Sequence, residues 1–146
     1  MSQQEDERYM RLALEEAQLA YEAGEIPIGA IVVCDGRVIA RAHNEVERLS
    51  DPTAHAEVLA VTAATQYMGS KFLGDCRLYV TIEPCTMCAG ALHWARLGEV
   101  IYGASEEKFG YQRYAPEIFP RATKVRGGVL AEEARALMQS FFRARR

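Results

Sequence analysis

The sequence lacks a long hydrophobic run: no stretch of about 18 apolar residues occurs among its 146 residues, so we expect no membrane-spanning helix. Its first residues, MSQQEDERYM, are polar and acidic, unlike a secretory signal. Internal repeats, low-complexity tracts and linkers are missing as well. These absences, with 49% hydrophobic and 25% charged residues, predict one soluble domain over residues 1–146, located in the cytoplasm and without a membrane partner.

Cysteine is scarce, and the sequence has a single Cys-x-x-Cys pair, formed by Cys85 and Cys88. Because cytosolic thiols stay reduced, the four cysteines are not expected to form disulfides. Cys34 and Cys76 have no metal-binding residue types beside them and are interpreted as small buried apolar residues. Without a second pair, a closed structural zinc site with four cysteines is excluded.

An excess of positive charge is also missing, since 17 basic and 20 acidic residues give a formal net charge of −3. This balance argues mildly against a nucleic-acid partner, but the charges are unevenly distributed. Residues 1–25 are strongly acidic and residues 121–146 strongly basic. The basic end is typical either of a local phosphate-binding patch or of a soluble tail that a helix dipole stabilises, and charge alone leaves both interpretations open.

The pattern of apolar residues predicts helices that alternate with strands. Asp35-Gly36 lies between two β-rich runs and is the strongest short signal for a hairpin. Strands alternating with helices after an N-terminal hairpin indicate an α/β fold of three layers, α/β/α, around a mixed central sheet. The first half of the chain is predicted to form a helix over 5–23, the hairpin, a loop over 45–53 and a helix over 54–68. The strand CRLYVTI, a helix of about three turns ended by Gly98 and the strand EVIYGA follow. The last part is predicted to contain an irregular segment over 105–121, a short strand in TKVRGGVL and a helix over 131–143, which begins the basic end, 131–146.

Polar residues occur at the start of the helix predicted over 54–68, which is otherwise almost wholly apolar. DPTAHAEVLAV places His55 and Glu57 two positions apart. Residues two apart on a helix point to nearly opposite sides, so these side chains cannot share a site on the helix flank. They can converge only on a site beyond the N-terminus of the helix.

His55, Cys85 and Cys88 match the ligand set of a catalytic zinc site, which uses three protein ligands and leaves one position for water. Both ligand groups begin predicted helices, whose dipoles favour thiolate. Glu57 would then stand beside the metal water as a proton shuttle without binding the metal. Taken singly, a histidine in an apolar helix is usually a core residue, and a Cys-x-x-Cys pair is often redox-active. Only the combination is specific.

The two motifs resemble those of the zinc-dependent base deaminases, and segments along the chain resemble bacterial tRNA-specific adenosine deaminases in particular. These segments are GEIPIGAIVV, HNEVERLSDPTAHAEVLA, LYVTIEPCTMCAGAL, VIYGA, GGVLAEE and FFRARR. The resemblance implies a cytidine-deaminase-like fold, one Zn²⁺ per chain held by His55, Cys85 and Cys88, and Glu57 as the general acid and base. It further implies hydrolysis of adenosine to inosine at the wobble position of a tRNA anticodon loop by a homodimer.

The resemblance also assigns residues to the substrate. Asn44 would hydrogen-bond the flipped-out base, for which the alternative is an ordinary polar strand end. Phe142 would stack on the RNA loop, for which the alternative is core packing. The apolar walls of the base pocket would be formed by Ile26, Pro27 and Ile28, for which an ordinary turn into a strand is the alternative. Two arginines would pair with phosphates of the RNA, Arg143 and Arg146.

The sequence departs from this family after YGA, where an aspartate is usual and this chain has SEEK, with Glu106 nearest in place. Lys108 and Gly110 keep the family spacing and, with Glu106, are expected to border the substrate. The following YQRYAPEIFPRAT is shorter than usual, and HWAR resembles guanine deaminases. The alternative functions are therefore deamination of a free base or nucleoside, guanine first, and a zinc-stabilised binding module without activity. Glu57 argues against the last, because a structural metal needs no such carboxylate.

Overall fold

Five strands and six helices make up the part of the chain that the computed structural model describes, residues 2–145. No helix in this range is long and apolar enough to cross a membrane. In chain order the elements are α1 (Gln3–Glu22), β1 (Gly29–Cys34), β2 (Arg37–His43), α2 (Val46–Leu49), α3 (Ala56–Met68), β3 (Cys76–Ile82), α4 (Thr86–Trp94), β4 (Glu99–Ala104), α5 (Tyr111–Tyr114), β5 (Lys124–Arg126) and α6 (Ala131–Arg143).

The strands form one mixed sheet in the order β2-β1-β3-β4-β5. Strand β1 pairs antiparallel with both β2 and β3, whereas β3, β4 and β5 run parallel. The predicted hairpin joins β1 to β2, and its two turn residues, Asp35 and Gly36, have φ angles of 54° and 74°. Two positive φ angles are the signature of the type I′ turn, whose twist matches that of the strands.

Helices cover both faces of the sheet, because the central strands are apolar at successive positions and need burial on each side. In β1, Ala30 and Val32 pack into a cluster with residues of α3 and α4. The alternate residues Ile31 and Val33 pack against Tyr9 and other residues of α1 on the opposite face. Helix α6 contacts α1, β3 and β4. The predicted three-layer α/β/α fold is confirmed.

Two segments differ in detail from the prediction. Helix α4 ends at Trp94, before the expected stop at Gly98, because Arg96 adopts a left-handed φ of 56° and the chain turns there. Gly98 serves another purpose, since a Cβ at this position would lie 2.4 Å from the carbonyl oxygen of Gly74. The loop predicted over 45–53 contains α2, and the buried carboxylate of Glu25 accepts hydrogen bonds from two backbone N–H groups at the start of that helix.

Candidate metal and substrate site

The N-termini of α3 and α4 meet beside the end of β3, and the three predicted ligands lie there. His55 is the N-cap of α3 and Cys85 the N-cap of α4, and neither side chain makes a capping hydrogen bond. His55 Nδ1 is 3.7 Å from Cys85 Sγ and 3.4 Å from Cys88 Sγ. Tetrahedral zinc with ordinary bond lengths separates a nitrogen and a sulfur ligand by about 3.6 Å. The three donor atoms therefore fit one metal ion.

The electrostatics of this trio already favour one thiolate. A hydrogen bond with Cys88, together with one from His55, lowers the pKa of the Cys85 thiol to about 4. The hydrogen bond with Cys85 raises the pKa of His55. A hydrogen bond with Cys85 and burial both raise the pKa of the Cys88 thiol. A metal ion would displace the protons from His55 and Cys88, so its binding is expected to release protons.

Glu57 stands in the first turn of α3 with its side chain buried; the residue is 3% exposed. Burial raises the pKa of this carboxyl group to about 7. Its Oε1 has no hydrogen-bond partner among the described residues. Buried polar atoms in native proteins are nearly always hydrogen-bonded, so an unpaired carboxylate oxygen marks a place where a ligand or water completes the site.

A cavity of about 500 Å³ opens over His55, Glu57 and Cys85. This volume lies within the range of small-molecule sites and accommodates a purine base. The walls are mostly apolar, and five residues assigned to the substrate lie in them: Ile26, Ile28, Glu106, Lys108 and Phe142. Phe142 is 47% exposed, whereas its neighbour Phe141 is 4% exposed and packs in the interior. The core-packing alternative therefore describes Phe141 and not Phe142.

The remaining assigned residues lie elsewhere. Asn44 lines an adjoining depression that shares Ile26 and Phe142 with the main cavity. Arg143 lines a third, shallow depression on α6. Pro27 is buried and lines neither the main cavity nor these two depressions. Arg146 falls outside the residues that the structure describes.

Four cavity-lining residues were missed by the sequence analysis: Ile82, Glu83, Phe109 and Met138. Glu83 directly precedes the metal motif in EPCTMC, and its position after a strand that leads to the metal ligands was a usable signal. Met138 lies one helical turn before Phe142 and therefore faces the same side of α6. Phe109 had no comparable local signal, because it lies in the irregular segment.

The class of protein follows from a comparison of the chain with known families. The sequence profile of the MafB19-like deaminases matches residues 4–146, which covers both metal motifs and every helix except the first residue of α1. The fold and the His/Cys/Cys trio are thus those of a deaminase, an enzyme that removes an amino group by hydrolysis.

Individual relatives narrow this class. A tRNA-specific adenosine deaminase of Streptococcus pyogenes serotype M18 is 42% identical, over 97% of this chain and 92% of that protein. A solved structure described for A-to-I editing by tRNA:A34 deaminases at the wobble position of transfer RNA is 41% identical, over 89% of this chain and 98% of that one, with a TM-score of 0.83. A guanine deaminase from Bacillus subtilis is also 41% identical, over 77% of this chain and 75% of that one, with a TM-score of 0.67. The chain belongs to the tRNA-specific adenosine deaminase family, and the resemblance seen in its sequence is confirmed.

We predict that Cys88→Ala abolishes metal binding, because it removes one of only three protein ligands. The measurement is metal content per chain by elemental mass spectrometry after purification, with the melting temperature as a second reading. Cys76→Ala is the matched control, since it truncates another buried cysteine that lies on β3 outside the trio. A full metal complement in Cys88→Ala would contradict the ligand assignment.

Proposed function

We propose that this chain is a zinc-dependent hydrolase that converts adenosine to inosine at the wobble position of a tRNA anticodon loop. The observation that carries the proposal is the unpaired, buried Oε1 of Glu57 beside three metal-binding side chains, at the base of a cavity large enough for a purine. Membership of the tRNA-specific adenosine deaminase family supports the choice of substrate.

Zinc suits this trio better than magnesium or calcium, because imidazole nitrogen and thiolate sulfur are ligands that those harder cations avoid. His55, Cys85 and Cys88 supply three ligands, and His55 and Cys85 also face the cavity. A zinc ion held there would supply activated water for attack on the ring carbon that carries the amino group, as in zinc base deaminases generally.

Glu57 acts as the proton carrier. Its Oε1 takes a proton from the attacking water and delivers it to the substrate, so that the amino group leaves as ammonia. Its burial suits this task, because a carboxyl group with a pKa near 7 both accepts and donates protons readily at neutral pH. The carboxylate does not need to bind the metal, since the trio already fills three positions.

The tRNA substrate is favoured by the exposed aromatic and basic side chains around the cavity. Phe142 and Phe109 offer rings on which unpaired bases stack, and Lys108 and Arg143 offer charges for phosphates. Bases of an anticodon loop are already unpaired, so turning one into the cavity costs little. Deamination of free guanine is not favoured, because the tRNA-specific adenosine deaminase of Streptococcus pyogenes is 42% identical over 97% of this chain, whereas a guanine deaminase from Nitrosomonas europaea that covers 92% of the chain is only 25% identical.

Two copies of the chain form the working enzyme, which acts in the cytoplasm on tRNA. Helix α4 supports this assembly, because it carries the cysteine ligands and leaves Trp94 71% exposed and Met87 40% exposed. Large apolar side chains exposed on one helix are typical of an interface. Analytical ultracentrifugation should therefore give the mass of two chains, and Trp94→Glu should shift the protein to a single chain. A wild-type mass of one chain would contradict the assembly.

We predict that Glu57→Gln retains the full metal content and loses turnover by at least about 10³-fold, because the amide cannot carry the proton. The measurement is ammonia release and inosine formation with an anticodon stem-loop. Glu133→Gln, an exposed acid-to-amide change on α6, is the control and should retain activity. Turnover by Glu57→Gln at the rate of the control would contradict the proton-carrier role.

Substrate choice is tested by incubating the protein with total tRNA and, separately, with guanine, cytidine and adenosine. We expect inosine in tRNA and little ammonia from the small molecules. Phe142→Ala should raise KM for the stem-loop about 10-fold or more, the usual size of one lost stacking contact, and Phe72→Ala, another exposed ring, should not. Turnover of free guanine without any inosine in tRNA would overturn the tRNA assignment.

A further inference from the structure

Glu83 is a second buried acid in the cavity wall, and the proposed chemistry does not use it. The residue follows β3 and is 6% exposed. Its Oε1 accepts a hydrogen bond from the backbone N–H of Glu106 at 3.0 Å, and its Oε2 accepts one from the backbone N–H of Gln112 at 3.2 Å. Unlike Glu57, this carboxylate is paired on both oxygens, and both partners belong to residues 105–112.

Residues 105–112, the cavity segment, form the part of the wall that contains Glu106, Lys108 and Phe109. Its middle is exposed, since Phe109 is 61% exposed, and only Tyr111 near its end packs into the core. Inside the segment, the Glu106 carboxylate accepts a hydrogen bond from the N–H of Lys108, and the Glu106 carbonyl accepts one from the N–H of Gly110. These local bonds shape the turn but do not fix its position over the cavity.

The Gln112 side chain is attached to β4, because it donates a hydrogen bond to the Tyr102 hydroxyl at 2.6 Å. On the side of the cavity, the segment is attached by the short connection between β3 and α4. Besides the two bonds to Glu83, the N–H of Tyr111 donates to the carbonyl of Pro84 at 2.9 Å. Glu83 and Pro84 directly precede the metal ligand Cys85. The connection that carries the metal ligand therefore also carries the anchor of the cavity segment.

The glycine at position 110 is explained by the same contact. A Cβ on Gly110 would lie 2.4 Å from Glu83 Oε2 and 2.3 Å from the carbonyl oxygen of Glu106. Both distances are far below van der Waals contact, so any larger residue would displace the segment or the carboxylate. Only glycine permits the carboxylate to reach both N–H groups.

We propose that Glu83 is a positioning residue that holds the cavity segment at a fixed distance from the metal ligands and so sets the affinity for the substrate. Its carboxylate bridges the two ends of the segment, and its backbone is two residues from Cys85. Lys108 and Phe109 then face the substrate from a fixed wall. The identity of that substrate rests on the proposed function, whereas the anchoring of the segment does not.

The test compares Glu83→Gln with Glu107→Gln. Glu83→Gln keeps one acceptor oxygen but places an amide N–H₂ against a backbone N–H. Glu107→Gln is the control, because Glu107 is an exposed acid in the same segment that does not line the cavity. We expect Glu83→Gln to raise KM for the anticodon stem-loop about 10-fold with kcat changed less than about twofold, since the wall contacts ground state and transition state alike. An unchanged KM, or a loss confined to kcat, would overturn the proposal.

Hydrogen exchange of the metal-loaded protein gives a reading that does not depend on activity. Amides of the cavity segment should exchange at least about 10-fold faster in Glu83→Gln than in Glu107→Gln, with metal content equal in both. Gly110→Ala should accelerate the same amides, because it disturbs the same contact from the other side. Equal exchange in Glu83→Gln and Glu107→Gln would refute the anchor even if the protein edits tRNA. Faster exchange in a protein that does not edit tRNA would refute the proposed function alone.

Discussion

The convergence of two helix N-termini on one point is the constraint on which the rest of this structure depends. Helices α3 and α4 lie on the same face of the sheet, and the N-cap residue of each belongs to the candidate metal trio and makes no side-chain capping hydrogen bond. His55, Cys85 and Cys88 are brought within the span of a single ion although 30 residues separate His55 from Cys85. The buried faces of the two helices are rich in alanine, which allows the close approach that this geometry requires. Ala56 and Ala60 of α3 and Ala89 of α4 lie in the same core cluster.

Three buried glutamates near this point show how the same side chain takes different roles. Glu25 accepts hydrogen bonds from two backbone N–H groups at the start of α2, and Glu83 does so for the cavity segment. Both are fully used in holding a loop. Glu57 alone keeps an oxygen without a partner. Since an unpaired buried carboxylate is costly, the contrast separates the carboxylate that the proposed chemistry uses from the two that hold loops in place.

The parts of the chain that surround the candidate metal site and the parts that line the opening of the cavity have different roles in the proposed function. The metal trio and Glu57 form a signature that zinc deaminases of different bases share, so in the proposed function they set the chemistry and not the substrate. Substrate selection is then the task of the cavity segment and α6, where Phe109, Met138 and Phe142 line the cavity. The guanine alternative arose from HWAR beside the metal motif, and it lost support because sequence identity over nearly the whole chain is higher to a tRNA-specific adenosine deaminase than to a guanine deaminase of similar coverage.

The sequence by itself determined the features that depend on neighbours along the chain. Asp35-Gly36 predicted the hairpin, CRLYVTI matched β3 residue for residue, and the motif spacing indicated the three candidate metal ligands, because turns, strand periodicity and helix starts are local. Only the tertiary structure decided where the assigned substrate residues lie and which others join them. Asn44 and Arg143 line separate depressions, and Glu83 reaches Glu106 and Gln112 more than 20 residues away, because packing between distant segments sets these contacts.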